Sequence, residues 1–122
     1  MTEPILHLAS NDAWLAAIED GLYLADSLSM EGFIHCSKPS QIVGVANTFY
    51  HGQRGLVLLV IDPLKLQAEM KWESPAEPEP THAREGELFP HIYGPLNLDA
   101  VIDVLPFEPD EDGNFTLPAG LA

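Results

Sequence analysis

A continuous apolar run, Leu56 to Ile61, is the feature that most constrains the fold of this chain. All six of its residues are Leu, Val or Ile, and Asp62-Pro63 ends the run. A strand that is apolar on both faces has to be covered on both faces. The run therefore predicts a central strand in the interior of the protein.

The start of the chain predicts a strand followed by a helix. Residues 4–9 form a short apolar stretch between Pro4 and the polar residues that begin at Ser10, as expected of a buried strand. Ser10 or Asn11 can cap the helix that follows, and Gly21 can end it by adopting the left-handed backbone conformation.

A second helix is predicted after a strand at residues 32–36. That strand stops at the sequence Ser37-Lys38-Pro39, and Ser37 or Ser40 can cap the helix. Four apolar residues then recur at i, i+3, i+4 and i+7 and predict one buried helix face. They are Ile42, Val45, Ala46 and Phe49.

The second half of the chain predicts extended segments separated by acidic stretches. Residues 70–73 predict a short edge strand, residues 89–93 an extended segment, and residues 100–105 a last strand. The stretch from about 74 to 87 is rich in Pro and Glu and predicts a loop, and the segment from about 108 to 122 predicts a loose tail. Strands with two helices in the N-terminal half favour an α+β fold, and 122 residues suffice for a single domain, 1–122.

Charge and composition narrow the partners that we expect. Nineteen acidic residues against five Lys and Arg give a formal net charge of −14. Because contact with a nucleic-acid backbone depends on Lys and Arg, we expect no nucleic-acid partner. No apolar stretch approaches the roughly 20 residues that cross a bilayer, and Glu3 and Pro4 do not fit a signal peptide. The single cysteine, Cys36, fits a reducing compartment. The chain is therefore predicted to be cytoplasmic with no membrane partner. Its oligomeric state is left open by the sequence.

Three of the five histidines, His7, His35 and His91, lie in or at the ends of predicted strands. If the strand faces that carry them meet, three imidazoles line an otherwise apolar cleft. Imidazole titrates near neutral pH, so such a cluster can move protons or bind an anion. The alternative for each histidine is a structural role with satisfied hydrogen bonds.

Zinc is the main rival to this interpretation, because three neutral imidazoles can hold the ion with one position open. No two histidines stand at H-x-H or H-x-x-x-H spacing, so the sequence predicts no metal site and no certain cofactor. Cys36 follows His35 directly, and neighbours on a strand point to opposite faces, which disfavours a thiol–imidazole pair.

Ser37 and Lys38 lie where the second predicted helix begins. Free backbone N–H groups at such an end attract phosphate or carboxylate, and Lys38 is one of few basic residues in the chain. The alternative is an ordinary helix cap with an exposed lysine.

Three segments carry a resemblance to a known family. They are Ile5-Leu6-His7-Leu8, Glu31-Gly32-Phe33-Ile34-His35-Cys36-Ser37 and Phe89-Pro90-His91-Ile92-Tyr93-Gly94-Pro95-Leu96. These motifs resemble the uncharacterised bacterial and plant family called domain of unknown function 952, over nearly the whole chain. The resemblance implies a fold like that of ADP-ribosyltransferases, with two small split β-sheets around a cleft that holds NAD in the enzymes.

The resemblance also implies roles for individual residues. His7 would contact the ribose on the adenosine side, the segment from Gly32 to Ser37 would frame the nicotinamide, and His91 takes the late-strand position where most such transferases have Glu. Glu87 is the nearby acid that could substitute. The implied catalytic residues are thus His91, His35 and His7, and the implied ligand-binding residues are Ser37, Lys38 and Tyr93.

The resulting functional prediction is an ADP-ribosyltransferase-like domain that binds NAD, as a substrate, or a related nucleotide. The alternative is a non-catalytic module that binds a small ligand or nucleotide, and a purely structural role ranks third. The RNA 2′-phosphotransferase branch of the fold relies on arginines, and this chain has only Arg54 and Arg84, so RNA repair is not predicted.

Overall fold

The computed structural model describes residues 3–74 and 87–121. Within these residues the chain forms three α-helices and eight strands in an α+β arrangement of small antiparallel sheets. In chain order the elements are β1 (Ile5–Ser10), α1 (Asn11–Asp20), β2 (Leu22–Tyr23), α2 (Asp26–Glu31), β3 (Ile34–His35), α3 (Pro39–Phe49), β4 (Leu56–Ile61), β5 (Glu69–Glu73), β6 (Phe89–Tyr93), β7 (Leu96–Asn97) and β8 (Val101–Phe107). Short 3-10 turns occupy Pro63–Lys65 and Leu98–Ala100.

The first sheet has the strand order β1-β4-β8, so the predicted central strand lies between two antiparallel neighbours. Every residue of β4 is buried, which confirms the prediction from its apolar run. Alternate residues of β4 join two separate apolar clusters. Val57 and Leu59 pack in one cluster with Ile34 and Ile92, and Leu58 packs in the other with Ile42 of α3.

The second sheet has the order β3-β6-β5, with β5 at the edge as predicted. His35 of β3 lies directly opposite His91 of β6. The two sheets are joined where Leu6 of β1 and Ser37 exchange backbone hydrogen bonds, each with an N-to-O distance of 2.8 Å. This junction brings the histidine of β1 close to the histidines of the second sheet. A small pair of strands, β2 and β7, completes the fold.

The two predicted helices are present, with one correction to their caps. The Ser10 side chain accepts a hydrogen bond from Ala13 N at 3.0 Å, and Gly21 ends α1 with φ +80°, both as predicted. The predicted serine cap of α3 is wrong. Lys38 precedes the helix, and its backbone N donates to the Gln41 side-chain oxygen at 2.9 Å.

The apolar stripe of α3 is confirmed in part. Ile42 and Ala46 are buried, whereas Phe49 is 42% exposed. Phe49 is the last residue of the helix, where the core no longer covers it.

The prediction of two helices in the N-terminal half is wrong, because α2 is a third. It is six residues long, none of them buried, so no apolar periodicity marks it in the sequence. Gly32 ends it with φ +89° and donates its N–H to Leu28 O at 3.1 Å. The strand predicted from residue 32 is consequently reduced to Ile34–His35.

The predicted loose tail is also wrong for the part of it that the structure describes. Phe115 is 2% exposed and stacks on Phe107, with 4.8 Å between ring centroids. Its backbone N donates to the Asn47 side chain at 2.7 Å, so the segment packs against α3. Residues 75–86 of the predicted loop lie outside the described residues. Across the described ranges, no helix has the length and apolar character to cross a membrane.

Candidate functional site

A cavity of about 580 Å³, here called the inner cavity, is lined by residues of both sheets and of α3. His7, His35 and His91 all line it, so the three predicted histidines converge. Other polar residues of the lining include Tyr23, Asp26, Ser27 and Glu31, and apolar ones include Ile42, Val45, Phe49 and Leu56.

His7 is buried, with 7% of its surface exposed, and both ring nitrogens have partners. Nδ1 lies 2.6 Å from the backbone oxygen of His35, which can only accept, so Nδ1 carries the proton. Nε2 therefore accepts the hydrogen bond from the Tyr23 hydroxyl, at 2.9 Å. Burial lowers the pKa of His7 to about 4, so the imidazole is neutral at pH 7.

Tyr23 is the partner of His7 and lies in the short strand β2. Burial raises the pKa of its hydroxyl above the usual value, and the nearby Tyr50, Cys36 and Asp26 act in the same direction. The hydroxyl therefore keeps its proton, and His7 and Tyr23 form a neutral pair with a fixed donor and acceptor. The tyrosine oxygen retains acceptor capacity toward the inner cavity that it lines.

His35 stands at the end of β3 and connects the site to α2. Its backbone oxygen holds His7, while its side-chain Nε2 lies 2.7 Å from Glu31 Oε2. Both side chains are 41% exposed, so this pair is at the solvent side of the cavity. Protonation of His35 would turn the contact into an ion pair.

His91 is held by a carboxylate rather than by a carbonyl. Its Nδ1 lies 2.9 Å from Glu73 Oε1, the oxygen that also accepts a hydrogen bond from the Tyr93 hydroxyl. Phe33 stacks on the imidazole, with 4.2 Å between ring centroids. Nε2 has no hydrogen-bond partner in the part of the chain that the structure describes. A buried imidazole with a carboxylate on Nδ1 and an open Nε2 is the arrangement of a general acid or base.

The Glu73 carboxylate remains ionised because its two hydrogen bonds stabilise the charge. The bond from Tyr93, and then the bond from His91, lower the pKa of Glu73. The hydrogen bond from the Tyr93 hydroxyl to Glu73 also raises the pKa of Tyr93. Sequence reasoning missed Glu73, since its approach to His91 depends on the register of β5 against β6, where Glu73 lies opposite Phe89 and diagonal to His91.

A second, more open concave surface, here called the outer cavity, shares His91 with the inner one. Phe33, Trp72, Glu73, Leu88 and Tyr93 are among the residues that line it. Tyr93, predicted to bind ligand, lines this outer cavity and is absent from the inner one. His91 thus lies in the wall between the two cavities.

The predicted phosphate position at Ser37 and Lys38 is occupied by internal contacts. Ser37 lines the inner cavity, but its backbone is bonded to Leu6, and Lys38 is not part of the lining. Lys38 N is paired with the Gln41 side chain, and Gln41 N and Ile42 N both donate to Lys38 O. Pro39 has no N–H, so this helix end has few amide groups to offer an anion.

Gln41 and Glu87 form a part-buried contact, and neither belongs to the lining of a cavity. The Gln41 amide donates to Glu87 Oε2 at 2.7 Å and to Leu88 O at 2.9 Å, and Gln41 is fully buried. Glu87 therefore contacts α3 through Gln41, whereas the carboxylate bonded to His91 is that of Glu73.

Metal ligands and thiol chemistry were the other possibilities for this site. Residues 3–74 and 87–121 contain no group of three or more His, Cys, Asp or Glu side chains placed to hold a metal ion. Cys36 lines the inner cavity but is buried, and burial raises the pKa of its thiol. The thiol therefore stays protonated and a poor nucleophile.

Comparison with known proteins places the chain in an uncharacterised family. A crystal structure of protein CC0527 from Caulobacter crescentus is 30% identical, covers 93% of this chain and 94% of its own, and has a TM-score of 0.78. A crystal structure of a double mutant of CC0527 gives the same values. The solution structure of CC0527 is 31% identical over 91% of this chain and 90% of its own, with a TM-score of 0.69.

None of the curated proteins matches this chain. These comparisons do not include an ADP-ribosyltransferase, so that likeness stays a prediction. A family model described as "Protein of unknown function (DUF952)" matches residues 8–104, and the chain therefore belongs to this family.

Proposed function

We propose that the inner cavity binds a small molecule of the nucleoside or nucleotide class and that His91 transfers a proton on that ligand. One observation carries the proposal: three histidines from different strands converge on a single cavity, and one of them is backed by a carboxylate. The family resemblance, with its split sheets around a cleft, makes NAD or a related nucleotide the first ligand to test. The protein is proposed to act in the cytoplasm, with no nucleic-acid or membrane partner, in keeping with its net charge of −14.

In this proposal His91 acts through the open Nε2. Nε2 takes a proton from a hydroxyl or amine of the acceptor, and the charge that forms on the imidazole is stabilised by Glu73 at Nδ1. Tyr93 holds the same Glu73 oxygen, which limits the rotation of the carboxylate. In an ADP-ribosyl or glycosyl transfer, the nucleophile prepared in this step attacks the sugar carbon, and the glycosidic bond breaks so that the base, nicotinamide in NAD, leaves with its electron pair.

The His7–Tyr23 pair has a different part in the proposal. Because both groups stay neutral at pH 7, they do not exchange protons with the ligand, and only Tyr23 has an acceptor left to bind it. The Tyr23 oxygen accepts from a ligand hydroxyl, and His7 fixes the direction of that oxygen. His35 and Glu31 flank the solvent side of the cavity.

A non-catalytic binding module is the second candidate, and one observation favours it. Strand β6 carries His91 but no acidic residue, so the position that holds a catalytic Glu in most transferases of the resembling fold has no carboxylate. A cleft of this kind can bind a nucleotide without turning it over.

Thermal unfolding with and without NAD, ADP-ribose, nicotinamide riboside, adenosine and zinc tests the proposal. A ligand at about a hundred times its dissociation constant adds about 2.7 kcal/mol to the free energy of unfolding, which moves the midpoint by several degrees. We expect NAD or ADP-ribose, or the nucleoside part of either, to produce such a shift. A shift with zinc alone would favour a metal site instead, and no shift with any of these ligands would contradict the proposal.

His51 supplies a matched control, because it is exposed and lines neither cavity. We expect His91→Ala to abolish any transfer product while the ligand-induced shift persists, and His51→Ala to preserve both. If the ligand shift persists in every variant and the wild-type protein forms no product, the non-catalytic candidate is correct.

A further inference from the structure

We infer that the inner cavity selects ligands without a phosphate group, namely uncharged or cationic molecules with an apolar or aromatic body. The inference rests on the proposed function and narrows its ligand class from nucleotides to nucleosides and similar compounds. It follows from the charges of the lining, from the partners of its histidines and from the apolar wall that α3 provides.

The charged residues of the lining favour a neutral or cationic ligand. Asp26 and Glu31 both line the inner cavity, and its described lining includes no Lys or Arg. Asp26 also acts on Tyr23 of this lining, since it is the last contributor, after burial, Tyr50 and Cys36, to the raised pKa of that hydroxyl. A phosphate in this cavity would meet two carboxylates and no permanent cation among the described lining residues.

The histidines do not supply the missing positive charge. His35 is paired with Glu31 at 2.7 Å and His91 with Glu73 at 2.9 Å, so protonation of either ring produces a neutral ion pair. His7 has both ring nitrogens engaged inside the protein and no carboxylate partner, and it stays neutral. No protonation state of these groups at neutral pH gives the cavity a net positive charge.

The helix ends do not compensate for this, because α2, whose first turn lines the cavity, begins with the acidic Asp26, and the N-terminus of α3 is closed by internal contacts. Lys38 lies outside the lining, and the backbone N–H groups of Lys38, Gln41 and Ile42 are paired within the protein. The net charge of −14 adds a long-range repulsion for anions. A dinucleotide such as NAD could enter only with its pyrophosphate outside the cavity.

The side chains of α3 that line the cavity favour a ligand with an apolar part. Ile42, Val45 and Phe49 of α3 form an apolar wall, which Leu56 of β4 extends. Mixed lining of this kind, apolar with a few placed polar groups, suits a ligand with a flat apolar body and a polar end. A nucleoside fits that description, with its base on the apolar wall and its sugar hydroxyls near Tyr23 and His7.

Two matched pairs of ligands test the inference by calorimetric titration of the intact protein. Nicotinamide riboside and adenosine lack phosphate, whereas nicotinamide mononucleotide and AMP carry one phosphate on the same nucleosides. We expect at least one phosphate-free compound to bind about tenfold more tightly than its phosphorylated counterpart, or more. Phosphorylated forms that bind as tightly or more tightly would overturn the inference and leave the proposed function standing; no binding by any of these ligands or NAD would overturn the proposed function as well.

A charge-matched pair of variants identifies the cause of the selectivity. Asp26→Asn with Glu31→Gln removes both carboxylates of the lining, and we expect the difference in affinity between the riboside and the mononucleotide to shrink severalfold. Glu19→Gln with Asp20→Asn removes two exposed acids of α1 that do not line the cavity, and we expect the difference to persist. Equal effects of the two double variants would show that net charge, and not the cavity, selects the ligand, and would overturn the inference.

Discussion

The region around His7 and the region around His91 each hold a buried imidazole, but with different hydrogen-bond partners. Both imidazoles are buried, and both donate a hydrogen bond from Nδ1. His7 donates to a backbone carbonyl and gives its Nε2 to Tyr23, whereas His91 donates to the Glu73 carboxylate and leaves Nε2 open. Burial alone therefore does not define the role of a histidine; the partner on Nδ1 and the freedom of Nε2 do.

The two regions differ in that His7 is neutral and holds strands together, whereas His91 is a candidate for proton transfer. The neutral His7 joins β1 to β3 and β2, so its contacts stabilise the junction of the two sheets. His91 is held by the Glu73 carboxylate, which is 36% exposed and offsets a positive charge on the imidazole. The largest effects of mutation on stability should thus appear in the first region, and the effects on chemistry in the second.

Replacement of the two histidines provides the strongest test of this contrast. We expect His7→Ala to lower the free energy of unfolding by about 4 kcal/mol, because it leaves a cavity and two buried partners without a hydrogen bond. His91→Ala should cost about 2 kcal/mol, since it removes packing on Phe33 but leaves partners that reach water. Urea denaturation measures both, and a larger loss in His91→Ala would contradict the contrast.

Acidification is expected to act through His7. Its pKa is about 4 in the fold, against an ordinary value of 6.5, so between these values the unfolded chain binds a proton that the folded chain does not. Stability is therefore lost as the pH falls from 6.5 to 4, by up to about 3 kcal/mol. Urea curves at pH 7 and pH 4.5 measure the loss, and equal stability at the two values would contradict the neutral, buried state of His7.

Glu73→Gln is the control for the acid experiment. The pKa of Glu73 is lowered from 4.5, so its contribution to stability is present above that value and is lost as the pH falls through the lowered pKa. The variant should therefore flatten the loss of stability below pH 4.5, outside the window assigned to His7.

Replacement of the two tyrosines should show the same contrast between the regions, with the smallest losses of stability. Tyr23→Phe leaves Nε2 of buried His7 without a donor and should cost about 1.5 kcal/mol. Tyr93→Phe should cost less, because Glu73 keeps its bond to His91 and is half-buried. Thermal unfolding of both variants, with nitrogen chemical shifts of the His7 ring as a second measurement, tests this; a larger cost for Tyr93→Phe would break the comparison.

Much of the fold followed from local patterns in the sequence. The apolar run of β4 and the segment of β6 were predicted at the residues that form them, because each is bounded by turn-forming residues and its pattern is complete within six residues. The cap of α1 at Ser10 and its end at Gly21 are likewise local events. Helix α2 and the packed position of Phe115 were missed, since α2 buries no residue and Phe115 is fixed by contacts with distant Phe107 and Asn47.

The candidate site was predicted only where it depends on local sequence patterns. The sequence by itself determined which strands carry His7, His35 and His91, because alternation and turn signals are local. Only the tertiary structure decided that these side chains share one cavity, that Glu73 and Tyr23 are their partners, and that Lys38 lies outside the lining. Those relations depend on strand order, register and the junction of two sheets, which arise from contacts between residues far apart in the chain.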